Sequence, residues 1–190
     1  MELKEKTTFL TKNINTNLEI IIYLSIGFLV PTIIGNSQLL VGIIINGILA
    51  IGAMRNITKT KMIAMSMAPS LGAITNGLLF GNLTNILIYF LPTIWISNMI
   101  YMKIIKENKE IKSFNFTTFI KRTKQQKLIK NMLKASVIKA TILFTTAIIL
   151  FLMNLIPKQI LIAMSVMQLI TATIGGGLAI GIKETLNKSK

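Results

Sequence analysis

Six apolar stretches, each near the length of one bilayer crossing, run through this 190-residue chain, and its basic residues fall before the first, after the last and in alternate gaps. A hydrocarbon core about 30 Å thick takes roughly 20 helical residues per crossing. The stretches cover residues 18–34, 39–54, 62–80, 83–102, 136–156 and 159–182. A hydrophobic content of 52% and a mean hydropathy of +0.66 fit a chain made mostly of such crossings. The expected fold is therefore an all-α integral membrane protein, one domain over 1–190 with six transmembrane helices. Several stretches are short, which puts the outer connections at the headgroup edge or calls for a locally thinned bilayer.

Orientation follows from the positive charge, because Lys and Arg beside a span resist translocation. Of the 21 basic residues, 20 collect on one side: Lys4, Lys6 and Lys12 before the first span, Arg55, Lys59 and Lys61 between the second and third, ten from Lys103 to Lys134, and Lys183, Lys188 and Lys190 at the end, with Lys139 counted at the entrance of span five. The opposite connections hold only Lys158. Both termini are expected in the cytoplasm, with the chain multi-pass in the cell membrane. The apolar core of the first stretch starts at Leu18, too far in for a signal peptide, and no cleavage is expected.

The net charge of +15 is explained by these basic loops, which set topology and attract anionic membrane lipids. No soluble domain presents them to nucleic acid, and no nucleic-acid partner is expected. The basic segment 103–135 is either a solvated tether or carries a short interfacial helix, with Phe116, Phe119 and Ile120 on one face ahead of Lys121, Arg122 and Lys124.

The chain has no Cys, no His and no Asp, and its six Glu lie outside the spans or at their inner edges. Cys-ligated iron-sulfur clusters, c-type haem attachment and His-based zinc sites are excluded. The acidic relays of ion-coupled transporters are missing too. With no nucleophile and base pair in view, an enzyme is not expected, and no cofactor is implied.

Uncharged polar groups are plentiful within the spans. Gln38, Gly42 and Asn46 follow at intervals of four on one helix face; Asn82, Asn85, Tyr89 and Pro92 do so in span four, with Trp95 at the edge of that face. Span six supplies Ser165, Gln168 and Ala172, then Gly175, Gly176 and Gly177, a triplet expected to serve helix packing. One reading of these stripes is interhelical hydrogen bonding and close backbone approach. The other is a pocket in the outer half, with Asn46, Asn85, Tyr89 and Gln168 as substrate-binding residues and Gln38 and Trp95 beside them. With no charged group expected at that depth, the buried end of such a ligand is expected to be neutral or weakly ionised. Pro69 and Gly72 inside span three predict a kink or break there, and Pro92 a bend in span four.

Four segments carry a family resemblance: 38–46 (QLLVGIIIN), 69–71 (PSL), 91–98 (LPTIWISN) and 164–177 (MSVMQLITATIGGG). In this order they are similar to landmarks of the substrate-binding (S) components of energy-coupling factor (ECF) transporters, small six-span proteins. Some sequences of this kind are labelled "iron hydrogenase", a chemistry for which this chain has no thiolate. The resemblance implies an S-component-like bundle that captures a small vitamin-like micronutrient from outside and docks on a membrane coupling subunit with two ATPases. On the first helix, where such components often present an Ala-x-x-x-Ala docking face, this chain has Ser25 and Gly27 among bulky residues. Two other functions fit the residues: a structural or assembly subunit of a membrane complex, and a stand-alone facilitator or channel.

Overall fold

The computed structural model describes residues 2–34, 37–55, 57–76, 81–106 and 117–188, with side chains over 17–34, 37–55, 57–75, 86–106 and 125–186. Among them there is helix and no strand. The elements are α1 (Glu2–Ile33), α2 (Gln38–Met54), α3 (Lys59–Asn76), a 3-10 segment (Gly81–Phe90), α4 (Leu91–Lys106), α5 (Thr117–Leu152), α6 (Lys158–Ile162), a π turn (Ala163–Met167) and α7 (Gln168–Lys188). Three stretches are long and apolar enough to cross a membrane, Ile86–Lys106, Gln125–Leu152 and Lys158–Leu186; Asn17–Ile33 and Gln38–Met54 are shorter apolar helices.

The surface is apolar and the interior partly polar. Leu18, Ile21, Ile33, Val137, Ile149, Leu152 and Leu178 are each more than half exposed, while Asn46, Ser66, Ser97, Asn98, Lys139 and Thr171 are buried. Water would penalise the first set and reward the second, so the bundle is compatible with a hydrocarbon surround.

Small residues set how closely the helices approach. α1 packs along α3 and α2 along α7. A Cβ on Gly72 would fall 2.1 Å from the Phe28 carbonyl oxygen, and one on Gly175 would fall 2.4 Å from that of Ile43. Gly176 meets Tyr101 and Met132 in the same way, whereas Gly177 faces open space, so the packing role expected of the triplet belongs to its first two members. Gly27, buried against Ala68 and Pro69, is used inside the bundle and leaves Ser25 as the exposed small residue of α1.

Several expected boundaries move. α3 runs through Pro69 without a break, and one turn further on it is tied to α1, where Thr32 Oγ1 donates to the Gly72 carbonyl at 3.0 Å. Span four changes from 3-10 to α geometry at Leu91, with Pro92, which has no N–H to donate, in the first α turn. The segment 103–135 is neither a tether nor a separate surface helix over its described part: α4 continues to Lys106 and α5 begins at Thr117. At 36 residues, α5 is about 54 Å long and outruns a bilayer core. Phe116 lies outside the described residues, as do the side chains of Phe119 and Ile120.

α5 ends in a Schellman closure. Asn154 takes a φ of 58°, its N–H donates to Phe151 O and the Leu155 N–H to Leu150 O, reversing the chain toward Pro157 and α6.

The core has two apolar clusters. One joins Leu49, Met54, Met65, Met102, Met132 and Ile180 toward the end carrying Arg55 and Lys106; the other joins Ala73, Leu87, Phe90, Leu143, Ile160 and Met164 toward the end carrying Lys158. Gly72→Ala and Gly175→Ala should each destabilise the purified protein by about 1–3 kcal/mol, since backbone rather than a flexible side chain blocks the new methyl. Gly177→Ala, which meets nothing, should leave the thermal midpoint in detergent unchanged or raise it slightly, through up to about 1 kcal/mol of helix propensity.

Candidate functional site

Between the two clusters lies a cavity of about 80 Å³ reached by every major helix of the bundle. Its polar lining comes from Gln38, Gly42 and Asn46 of α2, Ser70 of α3, Asn98 of α4, Lys139 of α5 and Gln168 at the start of α7. Its apolar lining includes Val41, Ile45, Leu87, Ile94, Leu143 and Met164. Pro31, Gln38 and Met164 place its upper part beside the helix ends that carry Lys158; Asn46 and Lys139 form its floor near mid-helix.

The floor is built on four helices. Lys139 is 3% exposed, and its Nζ donates to Asn46 Oδ1 at 2.5 Å while standing 5.4 Å from the centroid of the Tyr101 ring. The Asn46 amide in turn donates to Gly42 O at 2.8 Å and to Thr171 Oγ1 at 3.2 Å. Tyr101 donates its hydroxyl to Ala172 O at 3.0 Å. The glycines make this possible: a Cβ on Gly42 would fall 2.7 Å from the Thr171 methyl, so only a bare backbone lets α7 bring that hydroxyl to Asn46.

The wall toward α3 is a second polar group. Asn98 Nδ2 donates to Ser66 O at 3.0 Å, and its Oδ1 is buried without a hydrogen-bond partner. Trp95 Nε1 donates to Ser70 Oγ at 2.7 Å, locking the indole behind a lining residue.

Of the residues expected from sequence, Asn46, Gln38 and Gln168 line the cavity. Gln38 donates to Ala163 O at 3.5 Å, next to the π turn that re-aims the chain into Gln168. Trp95 acts through Ser70 and does not line the cavity itself; Tyr89 is 54% exposed and lies away from it. The Asn85 side chain lies outside the described residues.

The main correction is Lys139. Counted by sequence as an inner-edge charge, it is instead the cavity floor, which overturns the expectation of no charged group at that depth. A signal for it exists: Met132, Ala135, Ser136, Lys139, Ala140, Leu143 and Ala147 recur at intervals of one, three and four, so the lysine falls on the buried small-residue face of α5. Asn98 was likewise missed as a lining residue.

Comparison of the chain with models of protein families, with curated proteins and with solved structures returns no match.

Proposed function

We propose that this chain is the substrate-capture (S) subunit of an ECF-type, ATP-driven importer in the cell membrane, crossing it six times with both termini in the cytoplasm. The observation that carries this reading is the cavity, where polar groups of α2, α3, α4, α5 and α7 converge between two apolar clusters. Helix packing alone would close such a space; an unpartnered carbonyl oxygen on Asn98 and the side chain of Gln168 favour an occupant. The resemblance of the four sequence segments supports the same reading. The cavity's upper part lies at the end of the bundle that charge assigns to the outside, so a micronutrient arrives from there. The sequence has no Walker motif and no acidic residue deeper in a span than its inner edge to drive transport, so energy comes from a coupling subunit and two ATPases.

The assembly-subunit reading draws on a different observation, the mutual hydrogen bonding of Lys139, Asn46 and Thr171, which could serve packing alone. A screen of vitamin-sized compounds by thermal unfolding separates the two, because a ligand favouring the folded state raises the midpoint. Gln168→Ala should weaken the captured compound roughly 2- to 30-fold, the effect of one lost hydrogen bond, without lowering ligand-free stability. Absence of any ligand, or recovery with subunits other than ATPases, favours assembly. Concentrative uptake by the lone protein in liposomes would contradict the division of labour.

The natural absence of Cys makes topology directly measurable. Single cysteines at Ser37 and Lys158 should react with an impermeant thiol reagent from outside intact cells, and one at Ser113 should not. The reverse pattern would refute the orientation.

A further inference from the structure

We infer that the captured ligand is an anion, bound by a carboxylate placed against Lys139, with a hydroxyl or N–H group donating to Asn98 Oδ1. The inference rests on the capture reading and names its substrate class. An ammonium has three N–H donors, and that of Lys139 has one acceptor among the described residues, Asn46 Oδ1. The Tyr101 ring gives a weak electrostatic contact. Among the described side chains no carboxylate joins them: Glu19 pairs with Arg55 at 3.6 Å, Glu184 lies in the last turns of α7, and Lys139 is the one charged residue of the cavity lining. A buried amine with only neutral partners carries its charge at a high desolvation cost, and an anion of the right shape offsets that cost by completing an ion pair and holding the proton on the amine.

Asn98 supplies the second, independent element. Asn98 is a lining residue; its Oδ1 accepts hydrogen bonds only and is buried with none, while its Nδ2 is fixed by Ser66 O and so prevents the amide from turning. One amine and one fixed acceptor therefore belong to residues lining the same space, whose other polar lining residues, Gln38, Asn46, Ser70 and Gln168, are uncharged. A carboxylate that also bears a hydroxyl or amide N–H satisfies both. A free ammonium on the ligand would meet Lys139 with like charge. At about 80 Å³ the cavity takes the acidic end of such a molecule.

The test uses the full chain in detergent, followed by thermal unfolding, with two matched pairs as probes: lactate against lactamide and pantothenate against panthenol. Each pair keeps the hydroxyl group and removes the negative charge. The acids should raise the midpoint, and their neutral partners should bind roughly 10- to 100-fold more weakly, the effect of losing a charge-assisted contact. Lys139→Met should abolish the preference for the acid, and Lys139→Arg should retain it in part. Should Lys139→Met fail to fold, the acid and neutral comparison on the unaltered protein decides by itself. Equal or stronger binding of the neutral members overturns the anion assignment and leaves substrate capture standing. No shift from any of the four overturns the anion assignment, and the wider compound screen then decides substrate capture by itself.

Discussion

A lysine in the middle of a helical bundle, held by the side-chain oxygen of an asparagine, is the interaction on which the rest of this structure depends. Burying an ammonium is costly unless its donors are met, and here α2 meets one of them through Asn46. Asn46 can do so because its own amide is oriented by Gly42 O and Thr171 Oγ1, which fixes which end of the side chain points at α5. Three helices are thus tied at one level, and the register of α2 against α7 is set by that bond as much as by apolar packing.

The glycines serve this level. Gly42 admits Thr171, Gly175 admits the backbone of α2, and Gly176 admits Tyr101, so each small residue lies within about a turn of the polar layer. Above and below, the two clusters are filled by Leu, Ile, Met and Phe in ordinary close packing. The cavity exists where these regimes meet: side chains committed to hydrogen bonds cannot rotate to fill space. The segments bordering its upper part depart from α geometry, with the 3-10 stretch before α4 and the π turn before α7. Such departures re-aim neighbouring side chains, here Leu87 and Gln168, toward a shared space.

Periodicity made much of this legible in the sequence. Gln38, Gly42 and Asn46 lie four apart and do face inward; Gly175 does mark a close crossing. Lys139 was misread because counting charge by distance from a span edge treats every lysine as solvated, although this one shares its face with Ala135, Ser136 and Ala140. The lengths of α1 and α5 were hidden because polar helix and polar loop have the same composition when no apolar face is needed. Tyr89 shared the spacing of the span-four stripe, but that spacing presumes α geometry, and the 3-10 turn winds it outward.

If the polar layer is as described, the cost of a substitution there depends on what its partner still carries. Asn46→Leu alone strands a buried ammonium, whereas Asn46→Leu with Lys139→Met replaces the whole pair by aliphatic groups of similar size. A double-mutant cycle on thermal stability in detergent measures this directly. The expected result is a loss of about 3–5 kcal/mol for Asn46→Leu that is largely recovered when Lys139→Met is added. Two losses that simply add would contradict the account, because they would mean that Lys139 and Asn46 do not depend on one another.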